Sequence, residues 1–344
     1  MHLLKEDLPV LGYELALDNV KRALPEKELL PDFAEDDPKP IRMESILSHR
    51  SSIRSELNRI SYDASWSSLL ERTATMNSKR LKGVLLTGLQ PHSRRAACLI
   101  PNKFNNTVLG NDSYKMIARY GIGAEVWRHT SLNSPSLHGR PNPPCPFCNS
   151  AMDSFGDHAS FCARSALRTQ KHNDLRNLNG KQASASGATV VKELRGLVNN
   201  RGDRPADNHI NDISGIIPNT SLWIDYTIPS PFAAHCFDES CSVYGAATDK
   251  SANKKLSNAA DVARLSDARF IPFVIATTGG FHDSALDVVE LLAQARSTRW
   301  NLNLNQVRQL VIDQIAVCVQ RGNARMWQEA TCSRSGSRAH RGVS

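Results

Sequence analysis

The chain has 344 residues, of which 40% are hydrophobic, 22% charged and 6% aromatic, with a net charge of +8. Those proportions supply a core and exclude a wholly disordered or collagen-like chain, and no stretch nears the roughly 18 consecutive apolar residues of a membrane span. Residues 1–40 hold five Lys/Arg against ten Asp/Glu, so residues 41–344 carry +13.

A basic body favours a polyanionic partner, because each cation placed on a phosphate releases condensed counterions. Charge arrives too early after Met1 for a secretory signal, which predicts a soluble, intracellular protein. Eight cysteines are too few for a disulfide scaffold. Cys98, Cys236, Cys241, Cys318 and Cys332 are dispersed and read as free thiols.

In chain order, residues 1–40 form an acidic leader in which Pro25, Pro31, Pro38 and Pro40 break any long helix. Residues 41–130 read as a helical, connector-like region. Met43, Ile46, Leu47, Ile53, Leu57 and Ile60 keep helical spacing; Trp66, Leu69 and Leu70 suggest a second helix. Met116, Ile117 and Tyr120 mark another over Asp112 to Tyr120. Cys98, Trp127 and His129 read as packing residues. Residues 131–144 are a Pro/Gly linker, and 145–179 hold a cysteine–histidine cluster with a basic helix. Gly180 to Gly187 reads as a low-complexity joint.

Residues 188–320 read as an α/β unit. Ala188 to Val198 is expected as a helix. Leu222 to Ile228 alternates like a strand and is stopped by Pro229 and Pro231. Residues 246–268 are Ala-rich and helical, Arg269 to Ala276 a buried strand, and Ser284 to Ala295 and Gln306 to Val319 amphipathic helices. Residues 321–344 are expected to be a disordered basic tail. His235, Cys236 and Cys241 lack a fourth ligand and read as a mobile loop.

Two residues separate Cys145 from Cys148, nine separate Cys148 from His158, and three separate His158 from Cys162. Two thiolates on a tight turn chelate one side of a tetrahedral ion; a His and a Cys about one helical turn apart close the other. Three thiolates and an imidazole favour zinc, and a fully ligated ion leaves no open position, so the site is predicted to be structural. Next come Arg164, Arg168, Lys171, His172, Asn173 and Arg176. Arg164, Arg168, Lys171 and His172 fall on overlapping helix faces, read as a phosphate-contacting surface.

Cys145-Pro-Phe-Cys148, Phe155-Gly-Asp-His-Ala159, Cys162 and Lys171-His-Asn-Asp-Leu-Arg176 resemble the CCHC zinc knuckle at the C-terminal end of non-LTR retrotransposon polyproteins. The matching group carries a restriction-like endonuclease of the PD-(D/E)XK type. Arg204-Pro-Ala-Asp207, Asp225-Tyr-Thr, Lys254-Lys255 and Phe270-Ile-Pro-Phe273 continue the match in order, over about residues 95–295. The resemblance implies a restriction-endonuclease-like mixed sheet flanked by helices. It also implies a DNA-nicking activity, DNA and retroelement RNA as partners, and a nuclear location.

The implied chemistry agrees with what phosphodiester hydrolysis needs. A hard cation, Mg or Mn, neutralises charge on the scissile phosphate and lowers the pKa of an attacking water. Asp207 and Asp225, on neighbouring strands, are expected to share it, with Glu193 completing its shell from the preceding helix. Lys254 or Lys255 orients the water; Lys255 fits the family offset better. The sequence departs from the family in the spacer Ala206 and in Asn258-Ala259, where a Lys-Tyr pair is expected. The Asp-Asp turn of a reverse transcriptase palm is missing, which excludes polymerase activity. The alternative is a decayed remnant that only binds nucleic acid. Asp225 would then be a solvent-facing charge on a half-buried strand, Glu193 an exposed helix residue, and Lys254 and Lys255 a solvated helix face.

Overall fold

Helices α1 (Lys79–Gly88), α2 (Arg95–Cys98) and α3 (Asn111–Gly121) begin the part of the chain that the computed structural model describes. That part is residues 79–99, 101–126, 144–193, 206–213, 221–265 and 268–339, with backbone alone at 260–265 and 332–339. The acidic leader, the helices expected over Met43–Ile60 and around Trp66, residues Trp127 and His129, and the linker up to residue 143 lie outside it. The helix expected over Asp112 to Tyr120 is α3, which buries Ile117 and Tyr120. Cys98, expected to pack, is exposed.

After the short helix α4 (Asp157–Phe161) comes α5 (Ala166–Ala185), twenty residues long. It runs through the Ser/Ala-rich stretch expected to be a joint. Alanine is the best helix former, and the small side chains let α5 lie close to the sheet, with Asn179, Gly180, Gln182 and Ala183 buried. The helix stops at Gly187, whose φ of 93° places it in the left-handed region.

The chain then extends into β1 (Thr189–Lys192), where a helix was expected. Thr189, Val190 and Val191 are β-branched, and their stiff χ1 angles favour a pleated strand. β1 pairs antiparallel with β2 (Asn208–Asn211), and β2 antiparallel with β3 (Ser221–Thr227). A short helix α6 (Phe237–Ser240) and the long α7 (Ala246–Leu265) cross over to β4 (Ala268–Val274), which lies parallel to β3. The protein is thus mixed α/β, with a four-stranded mixed sheet in the order β1-β2-β3-β4 flanked by helices.

Helices α8 (Asp283–Trp300) and α9 (Leu304–Ala339) complete the described chain. Leu222, Ile224 and Tyr226 of β3 share a core with Phe273 of β4, Leu175 of α5, Val288 and Leu292 of α8 and Val311 and Ile315 of α9. Truncating one such side chain to alanine costs about 2–5 kcal/mol. α9 is helical well beyond Arg321, in the segment expected to be a disordered tail. Ala324, Trp327 and Ala330 recur every third residue and are fully buried, while Arg325 and Glu329 between them are exposed. Trp327 packs with Ile117, Tyr120, Cys145, Met152 and Cys162 in a second core. Stretches that look separate in sequence therefore share one compact unit, Ser78–Ser344. No described helix is long and apolar enough to cross a membrane.

Candidate metal centre and carboxylate cluster

Cys145 and Cys148 sit on a tight turn. The Cys145 N–H donates to Ser150 O at 2.7 Å and the Asn149 N–H to Cys145 O at 2.9 Å, closed by an antiparallel bridge between Pro144 and Ala151. The other two candidate ligands are placed by Asp153. Its carboxylate accepts the N–H groups of Asp157 at 2.9 Å and His158 at 2.8 Å, holding the first turn of α4. Gly156, at φ 81°, precedes that turn; a Cβ there would meet Trp327 Nε1 at 2.6 Å. Arg80 of α1 grips Asp157 through two hydrogen bonds of 2.6 and 3.0 Å and lies over the Phe155 ring.

The ligand atoms of Cys145, Cys148, His158 and Cys162 all lie within 4.8 Å of one another. Cys145 Sγ is 3.7 Å from Cys162 Sγ, and Cys148 Sγ is 3.1 Å from His158 Nε2. Zinc–sulfur bonds of about 2.3 Å in a tetrahedron put two sulfurs about 3.8 Å apart, so the spacing suits a metal such as zinc. Burial, then the neighbouring thiols, pushes the Cys162 thiol up to about 11, and Ser150 leads the groups that hold Cys148 down to about 6. A central cation favours the thiolate at all three sulfurs.

The second cluster forms where β2 and β3 begin to pair. Asn208 faces Ile224 in the register, and the Asp207 N–H donates to Ile224 O at 3.0 Å, which brings Asp207 alongside Asp225. Leu222, Ile224 and Tyr226 alternate into the core, so Asp225 points to the opposite face of β3, within reach of Lys255 from α7. The two carboxyl groups act on each other's titration, and Lys255 Nζ of α7 lies 2.6 Å from Asp225 Oδ2. Burial pushes Asp225 up to about 6, with the Asp207 charge adding to it against Lys255. Burial also acts to raise Asp207, but His172, the Tyr226 N–H at 2.8 Å and Asp225 outweigh it and hold the group at about 2. The closeness of the two carboxylates splits their titration, with Asp207 held low and Asp225 pushed up.

Lys254 is exposed and the sequence-favoured Lys255 is the lysine that reaches the acids. Glu193 is not on a helix. It follows β1 with φ 48°, its N–H donates to Asp207 O at 2.9 Å, and its carboxylate is turned onto Arg176.

The basic residues from Arg164, which precedes α5, to Arg176 divide by the surface they reach. Arg164 and Arg168 line a cleft of about 720 Å³ that runs from Cys148 and His158 to Lys254, Lys255 and Asn258. Lys171 does not share that surface. It is 2% exposed and donates to Ser160 O at 2.7 Å and Asn323 Oδ1 at 2.9 Å, and burial pulls its pKa down to about 7. His172 Nε2 lies 3.1 Å from both Asp207 Oδ2 and Tyr226 O, and Asn173 Oδ1 is 3.5 Å from His172 Nδ1. Arg176 is on Glu193, and Asn208 Nδ2 donates to its carbonyl at 3.0 Å. Lys171, His172 and Arg176 were expected on phosphates; they face inward because they follow the same stripe as fully buried Leu175.

The loop of His235, Cys236 and Cys241, read from the sequence as mobile, places His235 in the lining of the cleft, which the spacing gave no sign of. Cys236 and Cys241 there are buried rather than mobile; Cys236 Sγ donates to Ser230 O at 3.1 Å. No protein-family profile matches the chain, and no curated protein matches it.

Proposed function

We propose that the protein is a metal-dependent DNA-nicking endonuclease with a structural zinc knuckle beside a restriction-like nuclease core, of non-LTR retrotransposon origin. The observation that carries this reading is the convergence of Asp207 just before β2, Asp225 of β3 and Lys255 of the crossover helix, next to a cationic cleft. A mixed four-stranded sheet flanked by helices, with these residues in this order, is what the family resemblance predicts. The nuclear location and the retroelement RNA partner belong to the same reading.

The donor set fits a hard divalent cation. Two adjacent carboxyl groups, one of them pushed up by burial and by its neighbour's charge, gain from sharing a Mg²⁺ or Mn²⁺ ion. When bound, the cation supplies charge neutralisation at the scissile phosphate and a more acidic attacking water. His172 keeps Asp207 ionised and oriented. Arg176 holds the Glu193 carboxylate in an ion pair. Lys255 donates toward the developing negative charge, and Arg164 and Arg168 hold the flanking phosphates.

One observation favours a second reading. Lys255 on Asp225 and Arg176 on Glu193 already neutralise two of the acids, as in a remnant that only binds nucleic acid. Supercoiled plasmid incubated with Mg²⁺ or Mn²⁺ separates the two. Nicking by the wild type and none by Asp225→Ala supports the nuclease. Equal nicking by both removes the proposed site, and DNA retention with no nick by either supports the remnant.

A further inference from the structure

A second cleft, of about 500 Å³, lies between α5, α8 and α9 and shares no lining residue with the first. Four cations line it, Lys181, Arg296, Arg321 and Arg325, and Asp174 is the only acid among the lining residues. Helical repeat explains the gathering. Asp174 and Lys181 lie two turns apart on one stripe of α5, and Arg321 and Arg325 stand at i and i+4 on α9.

The cations are held but not consumed. Asp174 Oδ2 takes Arg325 Nη1 at 2.8 Å. Arg296 Nη1 donates to Gln182 Oε1 at 2.9 Å, the Gln182 amide donates to Gln314, and Gln314 Nε2 donates to Asn105 O at 2.8 Å. That chain of amides fixes one guanidinium. Arg321 Nη2 spans Asn106 O at 3.1 Å and Val108 O at 3.0 Å, which leaves the rest of its fork open. Lys181 is exposed and makes no hydrogen bond or ion pair among the described residues. Cys318 in the wall is a neutral thiol, pushed up to about 12 by burial and then by Asp174, so the cleft offers no thiolate to a metal.

A polar cleft with three uncompensated positive charges, oriented donors and planar forks suits an oxyanion. Its cations come from three helices, which suits an extended ligand better than a single small ion. We infer that this cleft binds phosphodiester groups of a nucleic-acid strand, as a phosphate site separate from the one beside Lys255. The identity of the polyanion rests on the nucleic-acid reading above; the anion chemistry rests on the donors themselves.

The test follows the zinc-loaded full chain binding a fluorescein-labelled DNA duplex by anisotropy across a range of NaCl concentrations. Lys181→Ala combined with Arg321→Gln flattens the slope of log affinity against log salt by about 1.8, two phosphate contacts at about 0.9 each. Lys115→Ala, an exposed cation outside the cleft, leaves the slope unchanged, and nicking at saturating DNA stays at the wild-type rate. Lys181→Glu, at a side chain with no partner to lose, weakens binding alone and guards against a folding defect in the double variant. An unchanged slope in the double variant and unchanged binding in Lys181→Glu overturn the site whether or not the protein nicks. A wild type that never nicks but loses slope in the variants keeps this site while removing the nuclease. Inorganic phosphate supplies the other arm. A Tm rise in phosphate that Lys181→Ala abolishes, with the DNA slope unchanged, assigns the cleft to a small phosphorylated ligand and overturns the strand.

Discussion

The Cys145–Cys162 cluster and the Asp207–Asp225 pair stand near one cleft, yet they are built in opposite ways. The first draws four soft donors from eighteen consecutive positions, places two of them at 2% exposure and ties its helix down through Arg80 and Asp153. The second draws hard donors from β3 and from just before β2, leaves Asp225 and Lys255 partly open, and sets a cation beside each of Asp225 and Glu193. A closed, soft set that shares a core with Trp327 belongs to folding. A partly open, hard set whose carboxylates shift each other's titration is what the proposed nuclease requires. The contrast assigns separate consequences to breaking each.

The largest effect is expected at the first cluster. Stripping the metal with a strong chelator, or Cys148→Ser, removes coordination free energy on the order of 10 kcal/mol for a structural zinc site. The full chain should lose zinc stoichiometry by elemental analysis and its cooperative thermal transition together. Asp207→Asn should leave both in place. A chelated protein that melts at the wild-type temperature would place the cluster outside the folding account.

The second cluster is sharpened by its two lysines. Lys255→Ala is expected to slow plasmid nicking about 10²-fold, the scale of losing one group aimed at developing charge. Lys254→Ala, at an exposed side chain, should leave the rate near wild type. Reversal of that order would move the catalytic role one residue along α7.

Lys171 separates folding from binding within the basic helix. Its folded pKa of about 7 lies below the ordinary value of 10.5, so between those values the unfolded chain holds a proton that the fold does not. The linkage sign is positive, and its share of stability, complete above the unfolded value, is lost as pH falls toward 7. Denaturant titrations should therefore show wild type gaining on Lys171→Met as pH rises from 7 to 10. The smallest effect belongs to Arg168. Arg168→Ala should lower the salt slope of DNA binding by about 0.9, and Lys171→Met should leave the slope unchanged.

Much of this was legible in the sequence because it is local. The Cys/His spacing sits on one turn and one helix. The alternation of Leu222 to Ile228 marked β3, which spans Ser221–Thr227, and the Ala-rich run from Ala246 marked α7. Asp225 and Lys255 meet because the crossover helix packs on β4, the parallel neighbour of β3, which spacing alone does not determine. Where residues serve two patterns, tertiary packing decided. Thr189-Val-Val fits a helix stripe by spacing but pairs in register with Asn211, Ile210 and His209. The arginines of the last segment suggested a tail, although Ala324, Trp327 and Ala330 form a buried stripe beneath them. Lys171, His172 and Arg176 read as a phosphate grip because charge is visible in sequence and helical phase against a sheet is not.

The most direct measurement is a Mn²⁺ titration of the zinc-loaded full chain followed by electron paramagnetic resonance. Asp207 and Asp225 together should capture a single Mn²⁺, and Asp207→Asn and Asp225→Asn should each release it while the zinc content stays constant. A wild type that binds no Mn²⁺, or binding that both substitutions leave untouched, would contradict a shared cation between these two carboxylates.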